Sequence, residues 1–200
     1  IDAYARMDFG TDAAAVLIAQ SDIGDGAVQE LEAIAALCTE SGAVDVAVAE
    51  DEVESEQLVQ ARRMAYPALE RLGSPLVDDV SVPISQLATM IDEVGRVADR
   101  LGIVIGVVGH AGDGNIHPTV IVDPIDPASL AKAHRAFDEI AAFALSLGGT
   151  ITGEHGVGLL KRDLLETELD PVAAELQRGI KELLDPHYLL NPGKVLTVRP

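Results

Sequence analysis

Residues 103–108 (IVIGVV) are dense in β-branched side chains, and residues 119–122 (TVIV) repeat the pattern. Between the two runs lies GHAGDGNIHP, with Asp113-Gly114 at its centre. Two strand-forming runs joined through an Asp-Gly step read as an antiparallel hairpin. A chain that commits to such a pair cannot close an all-parallel sheet. Whatever helices it carries must pack against a mainly antiparallel one.

Helical patterns are interleaved with the strand candidates. Ala27, Val28, Leu31, Ile34, Ala35 and Cys38 recur at helical spacing before Ser41-Gly42, and residues 52–72 suggest a second, longer helix. Ile84, Leu87, Ile91, Val94, Ala98 and Leu101 form a third stripe, closed by Gly102. Leu130, Ala133, Phe137, Ile140, Ala141, Ala144 and Leu147 form a fourth, closed by Gly148-Gly149. Further helical segments run to Leu184. Apolar runs at 13–20, 44–49 and 77–82 read as strands, the last stopping at Pro83. This order predicts an α+β fold, ferredoxin-like in its sequence of elements, with helices packed on one sheet.

Composition narrows the function classes. The chain has 200 residues, 48% of them hydrophobic, which is enough for a folded domain with a core. The formal net charge of −19 repels phosphate backbones and anionic surfaces, so nucleic acid is a poor partner. The single cysteine, Cys38, has no internal partner, sits in an apolar helical pattern and reads as core. No apolar run approaches the roughly 20 residues that span a bilayer, and the N-terminus shows no basic-then-apolar leader. A cytoplasmic protein is the expectation, and a start at Ile1 suggests a piece of a longer polypeptide.

The hairpin carries His110 and His117. If Asp113-Gly114 were the two central residues of a tight turn, Gly112 would face Asn115, and His110 would face His117 on the same side of the sheet. Two imidazoles so placed suit Zn²⁺, Mn²⁺ or Co²⁺. Two ligands are too few, and Glu154, in the glycine-rich stretch GGTITGEHGVG, is the best third candidate. A histidine pair beside a turn can also be merely exposed. His134 and His187 are assigned no chemistry.

GHAGDGNIH, GEHGVG and LNPGKVL, in this order and at these separations, resemble the C-terminal domain of the FAD-linked oxidases, the family of D-lactate dehydrogenases, the glycolate oxidase catalytic subunit and D-2-hydroxyglutarate dehydrogenase. Residues 61–83 resemble the glycolate oxidase type. The resemblance implies that residues 1–200 are one such domain, capping a flavin that is bound mainly by a separate N-terminal FAD domain in cis. It implies a flavin-dependent 2-hydroxy-acid dehydrogenase, with hydride passing from substrate to FAD. His110, His117 and Glu154 match the metal ligands, the ion being Zn or Mn. His155 matches the base, and Arg62 the substrate-carboxylate anchor, with Arg63 beside it as the alternative. Asn191 and Lys194 lie where the family's tail approaches the flavin. Further implied partners are a small 2-hydroxy acid and an iron–sulfur electron-acceptor subunit, which would place the protein peripherally at the membrane.

Two positions depart from the hydroxyglutarate type: Val77 stands for a lysine and Thr119 for an asparagine. The first removes a counter-charge for a second carboxylate and favours D-lactate or glycolate. Two rival readings remain. One is a metallohydrolase using the same His/His/Glu set, and the other a non-enzymatic ferredoxin-like regulatory module.

Overall fold

The computed structural model describes residues 13–196, and the chain divides into two compact units, Ile1–Arg71 and Leu72–Pro200. The leader-free start read from residues 1–12 lies outside the described residues.

In the first unit, a 3₁₀ turn at Gly24–Gly26 leads into α1 (Ala27–Glu40), which ends at Ser41 as the sequence suggests. Cys38 is only half-buried. The long helix expected over 52–72 is instead two, α2 (Glu52–Arg63) and α3 (Ala65–Glu70), meeting at Met64. Pro67 explains the break, because it offers no N–H to the carbonyl of Arg63 and its ring crowds that turn. The strands expected at 13–20 and 44–49 are not formed. An apolar pattern supplies strand propensity, but a strand also needs a neighbour for its backbone groups, and neither segment has one among the described residues. Ala61 is the one fully buried residue described in this unit.

The second unit contains the sheet. β1 (Ser74–Val77) and β2 (Val80–Ser81) both pair antiparallel with β4 (Asn115–Val122). They share one register: Val77 lies opposite Thr119, the Asp78 N–H donates to the Pro118 carbonyl, and Val80 lies opposite Ile116. The interruption follows from Pro118, which cannot return the reciprocal hydrogen bond to the strand beside it. β3 (Ile105–His110) pairs antiparallel with the other edge of β4. Beyond β2, Thr150 exchanges both backbone hydrogen bonds with Ser81. Between these strands run α4 (Leu87–Leu101) and α5 (Pro127–Ser146). The order β-α-β-β-α-β is thus the ferredoxin-like one, its last strand reduced to a single bridge. α6 (Arg162–Glu168) and α7 (Pro171–Leu184) follow.

Period-2 alternation divides the sheet into two faces. Val80, Val82, Ile116, Val120 and Val122 point to the face covered by Met90, Val94 and Val97 of α4 and Ala133, Phe137, Ile140 and Ala144 of α5, and together they make the core. Helix limits are set by local chemistry. Asp126 caps α5 by accepting from the Ala128 and Ser129 N–H groups ahead of Pro127, and Gly102 ends α4 in a left-handed conformation at φ 61°. The opposite face of the sheet carries Asn115, His117 and Thr119 of β4 together with His110 of β3, and this is where the chemistry gathers.

Candidate metal centre

The turn between the histidines is longer than a two-residue turn. His110 lies opposite Asn115, and His117 opposite Val108, leaving residues 111–114 as a four-residue loop. The N–H of Gly114 donates to the His110 carbonyl at 3.0 Å, and the Asp113 carboxylate accepts from the Asn115 N–H at 2.9 Å. Gly114 has φ +81°, and a Cβ there would come within 2.0 Å of the Val82 carbonyl oxygen, so no other residue fits. The register expected from sequence, with His110 facing His117, is therefore off by two residues. An even displacement preserves the faces, whereas an odd one would have turned one imidazole to the core. The rings end as diagonal neighbours with centroids 5.3 Å apart, edge to face.

The glycine-rich loop brings the carboxylate. Nε2 of His110 is 3.2 Å from Glu154 Oε1, and Nε2 of His117 is 3.8 Å from Glu154 Oε2. One ligand atom from each of the three residues lies within 4.8 Å of the others. Two imidazole nitrogens and a carboxylate are a donor set that suits a divalent ion of the zinc or manganese kind. Burial, and secondly the charge of His155, push the His117 pKa down, against the pull of Glu154. Both effects favour the neutral ring, the state in which an imidazole can ligate. Its Nδ1 is buried without a hydrogen-bond partner among the described residues. His155 stacks on His117 at 4.9 Å and 16°, with 46% of its side chain exposed. Its Nδ1 lies 3.5 Å from Asp79 Oδ1, and no hydrogen bond engages its Nε2 among the described residues.

Sequence reasoning missed three residues here. Asp79 is fully buried between β1 and β2, and its carboxylate accepts the backbone N–H groups of Gly153 and Glu154 at 2.7 Å and of His155 at 3.2 Å. Lys161, itself 3% exposed, is ion-paired with both Asp78 and Asp79. Burial alone would raise the Asp79 pKa, but the Glu154 N–H and the Lys161 ammonium outweigh it and hold it at about 2. For Asp78 burial prevails over Lys161, and its pKa is raised. Two acids inside an apolar strand pattern, VDDVSV, were the available signal, since buried carboxylates need partners. The third residue is Asn115, 3% exposed, whose amide touches the loop: a Cβ at Gly153 would lie 2.5 Å from its Oδ1. This close approach explains the glycine before Glu154.

The model of the family described as FAD linked oxidases, C-terminal domain, matches residues 2–195. The chain belongs to this family. It is 40% identical over 197 residues to the glycolate oxidase subunit GlcD of Bacillus subtilis, covering 98% of this chain and 42% of that protein. It is 31% identical over 193 residues to GlcD of Escherichia coli K12, covering 96% and 39%. A D-lactate dehydrogenase of Archaeoglobus fulgidus is 37% identical over 168 residues, covering 84% and 37%. The chain thus spans about two fifths of the length of these relatives.

The other residues singled out in the sequence fall elsewhere in this family domain. Arg62 and Arg63 sit in the last turn of α2, in the first unit, and both are exposed. Arg63 is engaged with Glu56 at 2.6 Å, whereas Arg62 has no ion pair among the described residues, which leaves Arg62 the freer guanidinium. Asn191 and Lys194 are exposed on the tail, where the Lys194 N–H closes a turn onto the Asn191 carbonyl. The next residue ties this tail to the glycine-rich loop, the Val195 N–H donating to the Gly158 carbonyl at 2.8 Å. His134, on α5, and His187, after α7, are exposed and are not members of the cluster. No described helix is long and apolar enough to cross a membrane.

Proposed function

We propose that this chain is the substrate- and metal-binding cap domain of a flavin-dependent 2-hydroxy-acid dehydrogenase of the D-lactate or glycolate type. One observation carries the reading: His110, His117 and Glu154 converge as a ligand set with His155 stacked beside them, in a chain of the FAD-linked oxidase family. His110, His117 and Glu154 would hold a zinc or manganese ion, whose chemistry is to polarise the substrate's 2-hydroxyl and carboxylate. His155, with Nδ1 facing Asp79, receives the hydroxyl proton at Nε2. Arg62 anchors the substrate carboxylate through its two-pronged guanidinium. The 2-hydroxy acid loses that proton and a hydride and leaves as the 2-oxo acid. FAD, held mainly by a domain in cis and approached by Asn191 and Lys194, is the hydride acceptor in this reading. An iron–sulfur subunit that takes up the electrons, and a cytoplasmic location with membrane contact only through partners, belong to the same proposal.

The deciding experiment uses the full-length flavoprotein. Anaerobic addition of D-lactate or glycolate bleaches the visible flavin absorbance, and metal removal abolishes the bleaching. A full-length protein that purifies colourless and cleaves esters or amides would instead establish the hydrolase reading. Absence of any stoichiometric ion would favour the regulatory module.

Substrate size is tested at Val77. Val77 and Thr119, the two departures from the hydroxyglutarate pattern, are cross-strand neighbours on the face that bears His117. A second carboxylate entering beside an apolar valine is desolvated without a partner. D-2-hydroxyglutarate is therefore the poorer substrate, and Val77→Lys improves its kcat/KM selectively by about 5- to 150-fold, the worth of a charge-assisted hydrogen bond. Steady-state kinetics of both substrate classes check this. A wild type that already prefers the dicarboxylate disproves the assignment.

A further inference from the structure

We propose that Asp79, with Lys161 as its counter-ion, is the positioning residue of the metal centre: its carboxylate sets the backbone of the loop that presents Glu154 and His155. The inference rests on the metal reading above and adds to it a residue that touches neither ion nor substrate.

The geometry separates positioning from ligation. Oδ2 of Asp79 accepts from three successive backbone N–H groups, those of Gly153, Glu154 and His155. Consecutive amides turned onto one oxygen form a concave anion cradle, and here the anion is part of the protein. Oδ1 is occupied by Lys161 and by the hydroxyl of Thr152 at 3.2 Å. The same hydroxyl accepts the Gly156 N–H at 2.9 Å, so the cradle extends along the loop. With both oxygens committed and the side chain fully buried, Asp79 has no lone pair to offer an ion. What it fixes is the backbone on either side of Glu154, and hence where that carboxylate meets His110 and His117. Lys161 also donates to the Asp79 main-chain carbonyl and pairs with Asp78 at 2.7 Å, which locks the strand interruption that carries the anchor. The start of the loop is tied independently to β2 by the Ser81–Thr150 bridge and to α6 by Glu168, which accepts from the Thr150 hydroxyl and the Ile151 N–H. The segment therefore stays in place without Asp79 while losing its conformation from Gly153 to His155.

The test is a Co²⁺ titration of the metal-stripped, flavin-loaded full-length protein, followed by the visible ligand-field bands of the ion. Groups that orient metal ligands from outside are worth about 10- to 100-fold in affinity. Asp79→Asn is expected to weaken Co²⁺ binding by that factor and to change the shape of the bands, with flavin content retained. Met90→Ala, a core substitution on α4 that removes no hydrogen bond of the loop, serves as the control and is expected to lower the melting temperature while leaving affinity and bands unchanged. Wild-type affinity and bands in a folded Asp79→Asn protein overturn the positioning role while leaving the metal reading intact. A wild type that takes up no Co²⁺ overturns the metal reading, and the positioning role with it. Should Asp79→Asn fail to fold, the triple variant Asp78→Asn/Asp79→Asn/Lys161→Met removes the whole buried ion cluster together, which a buried site tolerates far better than loss of one partner. The same titration then decides.

Discussion

His117→Ala is expected to strip the divalent ion from the full-length flavoprotein and to lower kcat/KM for D-lactate or glycolate by about a thousandfold or more. The magnitude follows from the proposed role: a Lewis acid supplies several kcal/mol at the reacting oxygen, and about 4 kcal/mol is a factor of a thousand. The fold should survive. His117 points away from the core face, and its Nδ1 has no hydrogen-bond partner among the described residues, so truncation orphans no other buried group there. His110, with 37% of its side chain exposed, is expected to behave alike with a still smaller structural cost. Metal content by elemental analysis, thermal unfolding and steady-state kinetics are the three measurements. Normal turnover in either variant refutes the ligand assignment.

How far the sequence could lead is best seen at the hairpin. Its existence was readable, because β-branched runs and the Asp-Gly step are local signals, and so were α4 and α5 with their terminating glycines. Its register was not, because Gly114 is held against Val82, a residue distant in sequence. The two histidines still meet, since a displacement of two leaves both on one face. The break at Pro67 was readable in principle, because a proline inside a helical pattern disturbs the turn before it. The breaks at Asp78 and Asp79 needed knowledge of the partner strand, where Pro118 lacks a donor. Lys161 and Asp79 are 82 positions apart, and no periodicity links residues so far separated. What spacing reveals is thus the face on which the histidines gather, while the contacts of Asp79 with the loop and with Lys161 are a tertiary fact.

Adjacent residues with different duties give the sharpest test of the proposed chemistry. Glu154 is within 3.2 Å of His110, and His155 stacks on His117 while its Nδ1 faces Asp79. If Glu154 is a ligand, Glu154→Ala loses metal and activity together. If His155 is the base, His155→Ala keeps the ion and lowers kcat by about 100- to 10,000-fold, the usual range for a positioned proton acceptor. Backbone hydrogen bonding does not blur the comparison, because Asp79 holds both residues through their main-chain N–H groups, which alanine retains. The two variants therefore differ in the side chain alone. Metal analysis alongside single-turnover flavin reduction separates the outcomes: loss of reduction with full metal occupancy marks the base, and loss of both marks the ligand. Should His155→Ala lose the ion while Glu154→Ala keeps it, the two roles are exchanged, and the imidazole stacked on His117 is the third ligand.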